Sequence, residues 1–226
     1  MIAYAPVITF DGPSGTGKGT IAQRIANSLN WRYLDSGILY RALAWRALEQ
    51  GVLPDDERAL KKLLSEVHVE LVSQKPSDMP HVLCCGEDIT AHLRLESVSG
   101  MASKIAAKQI VRDRLMELQR SQRTWPGLTT DGRDMGTVIF PDATVKFFLT
   151  ASAEVRAQRR YKQLKDQGND VSLRDIRAEL IERDRRDASR NIAPMRAAPD
   201  AIVIDTSHLS IEEVMAKVES EIREFL

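Results

Sequence analysis

The sequence predicts an α/β fold: a five-stranded parallel sheet flanked by helices. Three observations predict it. Five short apolar runs, at 7–10, 33–34, 128–130, 145–149 and 201–204, read as strands buried on both faces. Segments of helical period lie between them. Four of the runs lead straight into an aspartate, at Asp11, Asp35, Asp131 and Asp205. That is the carboxyl edge of the sheet, where open α/β folds bind ligands. Each such Asp is a site residue or the cap of the next helix, and for any one alone the cap is the commoner reading.

The helices follow in order. One over 18–29 comes directly after a glycine-rich loop. The next, 38–50, starts behind Asp35 or Ser36 as cap and stops before Gly51. A long pattern over 97–122 leaves open whether it is one helix or two. A helix over 153–167 ends at Gly168. Another over 173–190 follows Ser172, with Asp175 placed as a weak capping-box partner. The last starts behind Ser210, has Glu213 to complete a better box, and carries a stripe of Ile211, Val214, Val218 and Ile222. Residues 67–72 and 81–85 break the alternation. They read as an antiparallel hairpin around the turn-prone 77–80, with 86–88 after it, so about 60–95 is a small β-containing inserted subdomain.

The 226 residues fit one α/β domain with room for that insertion. A composition 43% hydrophobic and 28% charged can bury a core and excludes a disordered polymer. Lys plus Arg equal Asp plus Glu at 32 each, which argues against a broad nucleic-acid surface but leaves room for a local arginine cluster. The adjacent Cys84 and Cys85 have no zinc-ligand spacing and read as two small apolar residues in a strand. No apolar run reaches the ~18 residues of a membrane span. The N-terminus shows no basic start or cleavage site, so no signal peptide is read and a cytoplasmic location is expected.

From residue 12 the chain reads Gly12, Pro13, Ser14, Gly15, Thr16, Gly17, Lys18, Gly19, Thr20, between a strand and a helix. That is the context a P-loop needs. Gly12, Gly15 and Gly17 let the backbone curl so that N–H groups converge, and the helix N-terminus adds its own. Lys18 supplies a mobile charge for the β- and γ-phosphates of ATP. The strict pattern has Ser or Thr directly after the lysine; here Gly19 holds that place and Thr20 comes next. No Asn-Lys-x-Asp segment reads guanine, so a GTP switch is excluded.

Between 154 and 196 stand twelve Lys and Arg against eight acids, in a chain that is neutral overall. Composition alone fits a solvated helix pair as well as a phosphate-covering region. Geometry tips the balance. On the helix after Ser172, Leu173, Ile176 and Leu180 make an inward stripe, and the same spacing continues through Arg183, Asp187 and Arg190. Such a ladder is costly to desolvate unless it lines a polar site.

Four motifs then carry a resemblance: DGPSGTGKGT at 11–20, LDSGILYR at 34–41, DGRDMGTVIFPDA at 131–143 and ERDRRDASRNIAP at 182–194. In this order they resemble bacterial cytidylate kinase along essentially the whole chain. The resemblance implies a single nucleoside-monophosphate-kinase domain over 1–226, a P-loop kinase fold. Its acceptor-binding part would span about 36–122, with the insert at about 60–95, and its helical lid about 154–192. It implies ATP and CMP or dCMP as substrates, Mg²⁺ with the ATP, and a monomer, with no nucleic acid or membrane partner.

Residue by residue, it implies that Gly12 through Thr20 bind the ATP phosphates, with Thr20 as the magnesium ligand. Arg159 would be a lid arginine over the donor. Ser36, Tyr40 and Arg41 would sit at the acceptor phosphate, with Arg133 and Arg190 as further partners. Ser103, Arg112 and Asp134 look like cytosine readers, and Arg183 and Asp187 like sugar readers. Lys18, Arg133 and Arg190 would carry catalysis.

The chemistry agrees. Cytosine presents an amino donor beside an acceptor nitrogen, the reverse of uracil, and Asp134 with an arginine matches that pattern. Transfer is expected in line, without a covalent intermediate. No general base is needed, because the acceptor is already a phosphate oxygen. Closure would exclude water and suppress ATP hydrolysis. A related kinase with another acceptor and a non-catalytic nucleotide-binding module are the competing readings.

Overall fold

The computed structural model describes residues 4–166 and 168–225. They form two compact units. One comprises Ala26–Leu128 with the segment ending at Pro6; the other comprises Val7–Ile25 and the chain from Thr129 onward.

The main sheet has five strands: β1 (Val7–Asp11), β2 (Arg32–Asp35), β6 (Leu128–Gly132), β7 (Val145–Thr150) and β8 (Ile202–Asp205), in the order β2-β6-β1-β7-β8. All five predicted strands exist. β1, in the centre, is buried at every residue, as its unbroken apolar run requires. It pairs in parallel with β7, Ile8 opposite Val145, and Phe10 stacks on Phe147 with ring centroids 5.1 Å apart. β7 in turn pairs in parallel with β8.

Helices α1 (Lys18–Leu29), α2 (Ser36–Glu49), α6 (Ala153–Asp166), α7 (Leu173–Ser189) and α8 (Ile211–Ile222) lie where the periodicity predicts. The predicted end of the fourth helix pattern, Gln167, lies outside the described residues. Asp35, not Ser36, caps α2, accepting from Gly37 N at 2.9 Å. Both halves of the Ser210–Glu213 capping box are present in α8. In α7, Ser172 accepts from Asp175 N. Ala157 of α6 and Ile176 and Leu180 of α7 form a small core of their own, joined by Tyr161, Leu164 and Val171.

Of the two possibilities left open for 97–122, two helices form, α4 (Glu96–Ile105) and α5 (Gln109–Ser121). The Arg112 guanidinium donates to Ala106 O at the break, satisfying a carbonyl that a continuous helix would have used. Elsewhere the structure adds to or departs from the sequence reading: helix α3 (Glu57–Glu66), not predicted, overlaps the expected start of the insert at about 60. Asp56 caps it, and Leu60, Leu63 and Leu64 are buried at helical spacing. The expected antiparallel hairpin is present as β3 (Val69–Val72) paired with β4 (His81–Cys84), extended to three strands by β5 (Glu87–Asp88) and followed by a 3₁₀ turn, His92–Arg94. Cys84 is buried in β4, but Cys85 is exposed at φ +52°, beyond the strand. A π-helical turn, Met135–Ile139, follows β6. Leu173, expected to face inward, is 41% exposed, because the apolar stripe of α7 begins one turn later at Ile176.

The insert also touches β2. Tyr33 N donates to Pro76 O at 3.0 Å, so the loop between β3 and β4 satisfies a group on a strand at the edge of the main sheet.

Gly127 precedes β6 and lies against the buried Trp31. A Cβ there would sit 2.2 Å from the indole. Gly127→Ala is therefore expected to cost about 2 kcal/mol, read as a lowered urea midpoint at unchanged m-value.

Candidate active site

The loop from Gly12 to Gly17 leaves β1 and opens into α1. Gly12 has φ +137°, and a Cβ there would lie 2.0 Å from Leu149 O of β7, so no other residue fits. Lys18 is buried at 7% exposure and its Nζ donates to Pro13 O at 3.0 Å. The hydroxyl of Thr16 also donates to Pro13 O. Thr129 of β6 donates to Ala22 O and ties α1 to the sheet. Thr20 is exposed on the first turn of α1.

The same unit gathers the cationic residues. Arg133 donates through Nε to Asp187 Oδ2 at 2.9 Å and through Nη2 to Ser14 Oγ at 2.6 Å. Arg190 pairs with Asp187 Oδ1 at 3.1 Å. Arg183 adds its charge to the same carboxylate. Burial alone would raise the Asp187 carboxyl, but Arg133, Arg190 and Arg183 together hold it below the usual carboxylate range. Three guanidinium groups thus gather around one carboxylate.

Arg159 donates to Thr206 O at 2.6 Å, to Thr206 Oγ1 at 3.1 Å and more weakly to Gly15 O, which fastens α6 to the loop. Asp134 is buried and stands at the N-cap position of the π-helical turn, yet its side chain makes no capping bond.

The other unit holds the remaining predicted residues. Ser36 and Tyr40 are buried on α2. Arg41 pairs with Asp35 at 2.7 Å. Ser103 is buried on α4, and its hydroxyl has no hydrogen-bond partner among the described residues. Arg112 of α5 is buried with its guanidinium 5.9 Å from the Tyr40 ring centroid.

Three residues escaped the sequence reading. Arg156 of α6 is buried, donates to Ser14 O at 3.1 Å and pairs with Asp184 of α7 at 2.7 Å. Burial raises the Asp184 carboxyl despite Arg156. Both belong to the charged stretch, but nothing in the sequence marks them among its twenty charges. Asp11 accepts from Met135 N at 2.9 Å and Gly136 N at 2.8 Å. Burial pushes its carboxyl up to about 7, although both amides and Lys18 pull it down. Its position at a strand end was the available signal.

A glycine-rich loop opening a helix, a buried lysine on that loop and a cluster of guanidinium groups beside it define a P-loop phosphotransferase. Comparison with known proteins narrows the class. The family model described as Cytidylate kinase matches residues 8–224. "Cytidylate kinase" of Coxiella burnetii is 50% identical over 97% of this chain and 93% of its own. "Cytidylate kinase" of Aeromonas salmonicida is 52% identical over 96% and 94%. The chain belongs to the cytidylate kinase family and is a kinase. Among solved structures, an uncharacterized protein from Eubacterium ventriosum superposes with a TM-score of 0.50 at 13% identity, over 97% of this chain and 98% of that one, a likeness of fold alone.

Asp187→Asn is expected to cost about 3 kcal/mol at pH 7, because it leaves buried guanidinium groups without their counter-charge. The sign in pH follows from the lowered carboxyl. Its stabilisation is complete above the ordinary carboxylate value near 4 and is lost as pH falls through the folded value. The stabilities of wild type and variant should therefore begin to approach each other only as pH falls below about 4.

Proposed function

We propose that this kinase transfers the γ-phosphoryl group of ATP to CMP and dCMP, giving CDP and dCDP. The cluster of guanidinium groups around Asp187, beside the loop carrying Lys18, is the observation that carries the reading. A transferring phosphoryl group spreads negative charge over its oxygens, and fixed cations stabilise it without reorganisation.

In this reading Gly12 through Thr20 take the ATP phosphates, and Arg159 lies over the donor. Lys18, Arg133 and Arg190 neutralise the group in transit. Ser36, Tyr40 and Arg41 serve the acceptor phosphate, and Arg183 and Asp187 the sugar. Ser103, Arg112 and Asp134 read the base. The unpartnered, buried Ser103 hydroxyl supports this, since a ligand would satisfy it. Asp134, which does not cap its own turn, has the acceptor chemistry that the cytosine amine needs. The acceptor-binding part is 36–122 with the insert at 60–95, and the lid is 154–192.

Among the described residues no group of three or more His, Cys, Asp or Glu could hold a metal. Magnesium fits as an ion brought by the ATP phosphates, which need few protein ligands, with the exposed Thr20 hydroxyl as one. Bound there, it would supply further charge neutralisation. No helix among the described residues is long and apolar enough to cross a membrane. A cytoplasmic monomer acting on small nucleotides, with no nucleic-acid partner, completes the proposal.

ADP formation measured side by side with CMP, dCMP, UMP, AMP, GMP and no acceptor tests it; the first two should turn over fastest. Turnover chiefly with another acceptor would discard the base assignment. Lys18→Ala is expected to lower kcat by about 10²-fold or more while the circular dichroism spectrum is kept. Asp134→Ala should lower kcat/KM for CMP about 10²-fold and leave KM for ATP within a few fold.

A further inference from the structure

The π-helical turn Met135–Ile139 begins immediately after Arg133 and Asp134. The first N–H groups of any helical turn lack partners within it, and the N-cap side chain ordinarily supplies one. Asp134 occupies that position and makes no such bond. Val138 N and Ile139 N donate to the Asp134 carbonyl, so the turn uses the Asp134 backbone. The orphan N–H groups of Met135 and Gly136 go instead to Asp11, one to each carboxylate oxygen, at 2.9 and 2.8 Å. Asp11 is 4% exposed and lies 124 and 125 positions away along the chain. It is also the residue directly before Gly12.

We infer that Asp11 is a positioning residue for base selection: by capping the turn at Met135 and Gly136, it fixes Asp134 and Arg133 in register with the phosphate loop and spares the Asp134 carboxylate from capping. The argument rests on the proposed roles of Asp134 and Arg133. Two features make Asp11 suited to the task. A carboxylate offers two acceptor oxygens, whereas Asn would turn an NH₂ toward one of the two N–H donors. Attachment to Gly12 is rigid, because the close approach of Leu149 O fixes the chain there. The turn cannot shift toward the sheet either. A Cβ on Gly136 would lie 2.8 Å from Thr9 Oγ1 and 3.2 Å from the Lys146 methylenes, so the turn sits against β1 and β7 with no space to spare.

Two variants perturb the clamp from opposite sides. Asp11→Asn removes one of its hydrogen bonds. Gly136→Ala pushes the turn off the sheet and leaves the carboxylate in place. Each is measured for kcat and KM with CMP, UMP and ATP, beside Asp134→Ala as reference, with thermal melts to establish folding. Both are expected to lower the CMP-over-UMP ratio of kcat/KM by about tenfold or more, with KM for ATP within about threefold. A residue important only for stability would lower the melting temperature and leave that ratio alone. Where Asp11→Asn does not fold, Gly136→Ala decides. A ratio lost in Asp134→Ala but kept in the clamp variants overturns the inference by itself. A ratio kept in Asp134→Ala overturns the base assignment, and this inference falls with it.

Discussion

The carbonyl oxygen of Leu149 lies where a side chain at residue 12 would begin, and much of the site follows from that approach. Because β1 is paired with β7 from Ile8 to Asp11, the chain must leave the sheet at Gly12 with φ near +137°. Only glycine takes that course. The exit direction sends the loop into the N-terminus of α1 and brings Lys18 back onto Pro13 O. The residue before the turn, Asp11, is held at the sheet edge with its carboxyl buried. A core packing contact between strands thereby fixes a polar loop.

The second constraint is charge. Arg133 and Arg156 both reach Ser14, one at its hydroxyl and one at its carbonyl, and each is also paired with an acid of α7. Buried guanidinium groups need such partners, or their desolvation would exceed what packing returns. Asp187 is shared by Arg133, Arg183 and Arg190, whose charge holds its carboxyl low. Cations gathered in this way suit a polyanionic substrate.

Much of this was legible in the sequence. Five strands and most helices announced themselves because a buried parallel strand must be apolar throughout and a surface helix must carry a stripe. Helix α3 was legible too, though the sequence reading does not name it: Asp56 followed by Leu60, Leu63 and Leu64 is a cap and a helical face. The π-helical turn was not legible. It carries no proline and depends on a partner far along the chain, Asp11. Leu173 misled because periodicity gives a face and not where along the helix the core begins.

The sequence by itself determined the α/β class, the phosphate loop with Lys18, and the family, since glycine spacing and apolar runs are local requirements that the backbone imposes on neighbouring residues. Only the tertiary structure decided which of the strand-end aspartates does what. Asp35 caps its own helix and holds Arg41. Asp205 closes a local turn on Ser207. Asp11 caps a turn more than a hundred residues away. Only there, too, did Arg156 separate from the other arginines, through Ser14 and Asp184. The physical reason is that a carboxylate or guanidinium is defined by the donors and acceptors around it, and in a buried site those arrive from strands and helices that the sheet, not the sequence order, brings together.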